Sequence, residues 1–125
     1  MKVAFLFSGQ VRDIPLDLFR LSLLNLTKDL EYDIYAYFWE ETGKSLNHSN
    51  FLPEVSKSKK ATYLVKRYFH GFNLKNYECE SYKDYQLNLD PTYREINLSK
   101  KFHSGTINCM PQIYCLSNCF KLISE

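Results

Sequence analysis

The stretch MKVAFLFSGQVR, residues 1–12, decides the fold of this chain. Residues 3–7 are an uninterrupted apolar run, which is typical of a strand buried on both faces. Residues 8–12 carry small and polar side chains, and a helical pattern follows them. A strand over residues 2–7, a turn and a helix predict the first unit of a parallel α/β domain. Because ligands bind at the carboxyl ends of strands in such domains, residues 8–12 are expected on the floor of a site.

The chain has 125 residues, which predicts a single domain spanning residues 1–125. Its net charge of +2 is too small to indicate a nucleic-acid or membrane-surface partner. The first apolar run is too short for a signal peptide, and no run approaches the roughly 20 apolar residues of a membrane span. We therefore expect a cytoplasmic protein with no membrane span and no nucleic-acid partner.

Four cysteines, Cys79, Cys109, Cys115 and Cys119, are expected to be reduced thiols in that compartment. Their spacings contain no C-x-x-C pair and match no common zinc pattern, so no metal site is predicted from them. Cys115 and Cys119 share one face of a helix. Because a free thiol behaves as a small apolar group, buried structural roles are favoured.

A helix is predicted over residues 14–30, with Asp13 as its N-cap and Pro15 in its first turn. Its apolar residues recur at spacings of three and four, which predicts one stripe packed on the sheet. The stripe consists of Leu16, Phe19, Leu23, Leu26 and Leu30, widened by Leu18, Leu21 and Leu24.

After a turn at residues 31–33, the apolar run 34–39 predicts a second strand, which completes a βαβ unit. The polar residues 40–53 are predicted to form a loop on the same rim as residues 8–12, and long loops on that rim often carry function.

Further along, a helix is predicted from Ser56 or Ser58 to His70, with Gly71 ending it. A third strand is predicted within residues 73–81, and an irregular excursion over residues 82–104. A last helix begins near Thr106 and has Pro111 in its first turn. Its predicted buried stripe is Ile113, Leu116, Cys119 or Phe120, and Ile123.

These elements predict an α/β fold, a Rossmann-like three-layer half-domain with a mostly parallel sheet. A sheet of so few strands leaves an edge that invites pairing, so a homodimer or a partner subunit is expected.

The segment Ser8-Gly9-Gln10-Val11-Arg12 after an apolar strand, followed by a Leu-rich helix and by residues 33–39 (DIYAYFW), resembles a family of GT-A-like nucleotide-sugar glycosyltransferases. Members occur in bacterial surface-polysaccharide clusters, phages and large DNA viruses. Residues 108–114 (NCMPQIY) and the helix after them resemble a later segment of that family. The resemblance covers about forty residues closely and the rest of the chain loosely.

The resemblance implies transfer of a sugar from a nucleotide-diphosphate sugar to a glycan acceptor. It places Ser8, Gly9, Gln10 and Arg12 against the nucleotide diphosphate, with Asp33 and Trp39 on the second strand of the site. The family's Asp-x-Asp pair, which would hold Mg²⁺ or Mn²⁺, does not occur in this sequence. No metal ligand and no catalytic residue is therefore identified, and the chain resembles the nucleotide-binding half of a longer enzyme.

Two other hypotheses stay open at this stage. One is a non-catalytic module that binds a nucleotide, or that acts through a partner chain or homodimer. The other is an unrelated small α/β protein in which residues 8–12 are only the turn that every βα unit needs, and in which Asp33 only serves a turn.

Overall fold

The computed structural model describes residues 1–12, 15–44, 54–88 and 104–124. The elements, in chain order, are β1 (Lys2–Arg12), α1 (Leu16–Thr27), β2 (Glu31–Lys44), β3 (Glu54–Lys60), α2 (Ala61–Tyr68), β4 (Leu74–Glu80), α3 (Tyr82–Asn88), α4 (Ser104–Lys121) and a 3-10 turn, Leu122–Ser124.

One sheet contains the four strands. β2 lies in the middle and pairs in parallel with β1 on one side and β4 on the other. β3 runs antiparallel to residues 41–44 at the end of β2. The predicted α/β half-domain with a mostly parallel sheet is confirmed.

Alternate side chains of β2 point to opposite faces of the sheet and seed two separate cores. On one face, Ile34 and Ala36 are buried against Leu23 of α1 and Val65 of α2. This face of the sheet is the α1–α2 face.

On the other face of the sheet, Tyr35, Tyr37 and Trp39 are buried against α3 and α4. We call it the α3–α4 face. Cys115 and Cys119 of α4 are fully buried there, so the structural role predicted for these two thiols is confirmed. Helices on both faces give the predicted three layers.

β1 is longer than predicted and includes the whole SGQVR segment. Gln10 pairs with Trp39 and Arg12 with Gly43, and the register shifts between these two pairs. The turn predicted at residues 8–12 is therefore wrong. The strand continues because Gly9 takes a φ of +115°, which a side chain would disfavour, and because the register shift absorbs the irregularity.

α1 begins at Leu16, directly after Pro15, whose carbonyl accepts a hydrogen bond from the Phe19 N–H at 3.0 Å. Asp13, the predicted N-cap, lies outside the described residues. Leu23 is buried and Phe19 half-buried, as the stripe predicted. The stripe is wrong at Leu26 and Leu30, which are exposed. The three leucines that widened it, Leu18, Leu21 and Leu24, are exposed as well.

β2 extends beyond its predicted bounds at both ends. The turn predicted at residues 31–33 is wrong, because these residues pair with β1 as the first part of the strand. The loop predicted over residues 40–53 is wrong as far as Lys44, where the strand ends. The remainder of that predicted loop, residues 45–53, lies outside the described residues.

α2 starts later than predicted, because residues 54–60 form β3. Its apolar residues Ala61 and Val65 are buried, and so is Phe69 just after it. Gly71 follows with a φ of +84°, the left-handed conformation that commonly ends a helix.

β4 confirms the strand predicted within residues 73–81. The irregular excursion is wrong over residues 82–88, which form α3, and residues 89–103 lie outside the described residues.

α4 buries a different face from the predicted one. Pro111, Cys115, Cys119 and Leu122 are buried, and Pro111 lies inside the helix rather than in its first turn. Of the predicted stripe, only the alternative Cys119 is buried. Ile113, Leu116 and Phe120, and Ile123 in the 3-10 turn, point to solvent and are 39–66% exposed. The prediction followed the large apolar side chains, whereas the proline and the two thiols fit against the sheet.

Candidate functional site

The carboxyl ends of the three parallel strands form one rim of the sheet. Gln10 of β1 pairs with Trp39 of β2, and Trp39 pairs with Glu80 of β4. These three residues therefore form one row across the sheet near the end at which ligands bind in α/β folds. We call it the carboxyl rim.

Gly9 gives the carboxyl rim an open stretch of backbone. A Cβ built on Gly9 would meet no heavy atom within 4 Å. The Cys115 thiol hydrogen-bonds to the Gly9 backbone, so α4 holds this segment in place. Burial raises the pKa of the Cys115 thiol to about 12, so the thiol is neutral near pH 7. A ligand can therefore approach the Gly9 backbone closely, next to a thiol that carries no charge.

The other residues predicted in the SGQVR segment are also at this end of β1. Ser8 is exposed and Gln10 is half-buried. Arg12 pairs through its backbone with Gly43. The strand thus brings Ser8, Gly9, Gln10 and Arg12 together along about 13 Å of backbone, given a rise of about 3.3 Å per residue.

Trp39 lies on this rim but is surrounded by tyrosines. Its ring stacks on Tyr114 at 5.8 Å and 5°, and Tyr82 and Tyr85 lie 5.0 Å away at 73° and 47°. Only 6% of Trp39 is exposed. Its role in the structure is to anchor α3 and α4 to the sheet, and a ligand at the rim would meet the half-buried Tyr82 and Tyr114 before Trp39.

Glu80 binds two of the surrounding phenols. Tyr37 donates to one carboxylate oxygen at 2.5 Å, and Tyr114 donates to the other at 2.9 Å. Burial and these hydrogen bonds raise the pKa of both tyrosines, so each phenol keeps its proton and remains a donor at neutral pH. No sequence pattern indicates this network, because its members come from three separate elements.

The two carboxylates at residues 40 and 41 are also engaged in the fold. Glu41 accepts from Ser81 Oγ at 3.0 Å and from the Tyr82 N–H at 2.7 Å, and so stabilises the start of α3. Glu40 accepts from Thr62 Oγ1 at 3.2 Å. Within the described ranges, no three His, Cys, Asp or Glu side chains come together as a metal site. These residues therefore do not fit the Mg²⁺ or Mn²⁺ that the resemblance implies.

Asp33 is far from the carboxyl rim. It pairs with Ala4 at the beginning of β1, six residues before Trp39, which is about 20 Å along the strand. Its carboxylate contacts Lys2 Nζ at 3.0 Å and accepts from Asn73 Nδ2 at 2.6 Å. The structure thus does not bring Asp33 together with residues 8–12, and gives it a role in joining the starts of three strands.

No family model matches the chain, and searches of curated proteins and of solved structures found no match either. The resemblance to nucleotide-sugar glycosyltransferases thus stays a prediction. None of the helices in the described part of the chain is long and apolar enough to cross a membrane.

Proposed function

We propose that the chain binds the diphosphate of a nucleotide sugar at the carboxyl rim, as the donor-binding part of a glycosyltransferase. The observation that carries this proposal is the open Gly9 backbone at the end of a parallel strand. A diphosphate needs hydrogen-bond donors at close range, and the space where Gly9 lacks a side chain leaves room for an anion beside the backbone of residues 8–12.

Two further features support a bound anion at this place. α1 follows β1 in the chain, so its N-terminus, the positive end of its dipole, lies at the same end of the sheet as residues 8–12. Arg12 follows in the same segment, and a guanidinium binds phosphate oxygens in a bidentate manner. The helix dipole and the guanidinium would together stabilise the diphosphate leaving group, whose negative charge grows during glycosyl transfer.

The same geometry limits what the described residues do chemically. Both oxygens of Glu80 already accept from phenols, and Glu41 is held by α3. We infer that this chain binds and orients the donor. A divalent cation and the groups that activate an acceptor would come from elsewhere in the complete enzyme.

Isothermal titration calorimetry with UDP-, GDP- and CMP-sugars, each with and without Mn²⁺, tests the proposal. Arg12→Ala should weaken binding about 10- to 100-fold, because a charge-assisted hydrogen bond contributes about 1.5–3 kcal/mol. Lys28→Ala is the matched control. It also removes one positive charge, but Lys28 lies just after α1, at the end of the sheet opposite the carboxyl rim. Binding should therefore not change.

Two results would contradict the proposal. One is the absence of heat with all three donors under both conditions. The other is an equal loss of affinity in Arg12→Ala and Lys28→Ala, which would indicate general charge attraction instead of a site at residues 8–12.

A second function, as an interaction module that pairs with a second copy of this chain, is favoured by the outward stripe of α4. Ile113, Leu116, Phe120 and Ile123 lie on one uncharged face. They expose on the order of 400 Å² of apolar surface, which is within the range of patches that often mark interfaces. Because the stripe carries no charge, two copies can pack it against itself across a twofold axis.

Analytical ultracentrifugation tests this second function. Phe120→Glu should shift a dimer to monomer, since it places a charge in the centre of the shared face. Leu18→Glu makes a comparable change on α1, on the other side of the sheet, and should leave association unchanged. A protein that is monomeric at every accessible concentration would contradict dimer formation through α4.

A further inference from the structure

A pocket of about 140 Å³ opens on the α1–α2 face, beside the end of β1. Four strand residues line one side of it: Phe7, Gln10, Val11 and Phe38. Val65 and Phe69, from α2 and its C-terminal end, line another. It therefore lies at the same end of β1 as Gly9, but on the face opposite the Trp39 cluster.

The chemistry of the lining selects an uncharged occupant. Almost the whole accessible lining is carbon surface, and five of the eight lining residues are aromatic. A polar group buried there without a partner would cost about 1–3 kcal/mol, and a charge far more. Neither the sugar nor the phosphates of a donor fits such a lining.

The size of the pocket limits the occupant further. An engineered apolar cavity of about 150 Å³ in another protein binds benzene, so a volume of about 140 Å³ accommodates one six-membered ring but not two fused rings. The surrounding rings already pack edge to face: Phe7 and Phe69 are 5.2 Å apart at 64°, and Phe19 and Phe69 are 5.5 Å apart at 87°. An aromatic ring in the pocket can make the same favourable contacts.

We propose that this pocket is a binding site for a small molecule that carries one uncharged, apolar six-membered aromatic ring. The site shares Gln10 and Val11 with the SGQVR segment but opens on the α1–α2 face, and it needs no hydrogen-bonding edge such as that of a nucleobase.

Methyl NMR titrations of the full chain, with toluene, naphthalene and uridine as probes, test this site. Toluene should shift the methyl signals of Val11 and Val65 saturably through its ring current, and naphthalene and uridine should not. Val11→Phe fills the pocket and should weaken toluene binding about tenfold or more, read on the Val65 methyl signals. Val3→Phe is the matched control, the same substitution in the same strand about 26 Å away, and should leave toluene binding unchanged.

An enlarging variant keeps the test decisive if Val11→Phe does not fold. Phe38→Ala widens the pocket and should admit naphthalene, which the unchanged protein excludes. The proposal is overturned if toluene shifts neither valine, if Val11→Phe binds toluene as well as the unchanged protein does, or if naphthalene binds Phe38→Ala no better than the unchanged protein. Saturable shifts of the same methyl groups by uridine would also overturn it, because the occupant would then be a polar ring.

Discussion

Replacing Leu23 by alanine probes how α1 is attached to the sheet. Leu23 is only 3% exposed and packs among Ile34, Val65 and Phe69. Truncating a buried leucine removes its transfer free energy and leaves a cavity, which together cost about 2–5 kcal/mol. A domain of this size is stable by about 5–15 kcal/mol, so Leu23→Ala should remove a large part of the free energy of unfolding.

Leu21→Ala is the matched control on the same helix. Leu21 is 58% exposed, so most of its surface is in water before and after the change. Alanine also has the higher helix propensity, so we expect a loss below about 1 kcal/mol. Urea unfolding followed by circular dichroism measures both variants. With a slope of about 1–3 kcal/mol per molar urea, Leu23→Ala should lower the midpoint by about 1 M or more.

Similar losses in Leu23→Ala and Leu21→Ala would refute the orientation of α1. They would mean that the helix buries the wider leucine stripe that the sequence predicted. A loss below about 1 kcal/mol in Leu23→Ala would likewise contradict the packing of this helix on β2.

Three other changes test separate contacts. The Cys115 thiol has a pKa raised by burial from 9.0 to about 12, so the unfolded chain ionises first. Stability is therefore full below pH 9 and falls as the pH rises from 9 towards 12, by up to about 1.4 kcal/mol per pH unit for one thiol; urea unfolding at pH 8 to 10 should show a shallower fall in Cys115→Ala. Gly71→Ala should cost about 1–2 kcal/mol in the same assay, because φ is +84° there, and an unchanged midpoint would contradict that conformation. Glu80→Leu should cost about 1–3 kcal/mol by leaving the Tyr37 and Tyr114 phenols without an acceptor, whereas Glu80→Gln should cost less; equal costs would argue against the network.

The apolar patterns in the sequence predicted the architecture because burial follows local periodicity. The alternating faces of β2 and the inward face of α2 are both visible as patterns of apolar residues. The third strand was also found, although its alternation is weak. These features can be predicted from the pattern of apolar residues within each element alone.

Strand lengths were harder to predict because they depend on pairing between distant segments. Ser8, Gly9 and Gln10 look like a turn locally, yet β1 continues because β2 offers partners as far as Gly43. β2 is itself prolonged by pairing with β3, whose lysine-rich sequence gives no strand signal. Neither strand pairing can be predicted from the local amino-acid composition.

The helix faces show a second reason for error. Cys115 and Cys119 face the sheet, and α4 leaves its larger apolar residues outside. Thiols are among the most buried side chains, so giving them more weight than the isoleucines would have selected the correct face. An exposed apolar stripe indicates a surface that contacts another molecule. Its periodicity is the same as that of a buried stripe, so the sequence pattern does not distinguish the two.

The positions of the candidate site residues were predicted in part. Residues 8–12 and Trp39 lie at the carboxyl rim, as expected from strand direction, but Asp33 lies at the other end of β2. The family resemblance of residues 33–39 placed Asp33 on the correct strand but did not specify at which end of that strand it lies. The Glu80 network was missed because its phenols lie 43 and 34 residues away in the chain.

Backbone amide NMR during titration with UDP, and then with GDP and CMP, tests most directly whether the carboxyl rim binds a nucleotide. We predict that at least one nucleotide shifts the amide signals of Ser8, Gly9 and Gln10, while those of residues 31–33, at the opposite end of the sheet, stay in place. Amide shifts confined to residues 31–33, or no shift with any of the three nucleotides, would contradict the account.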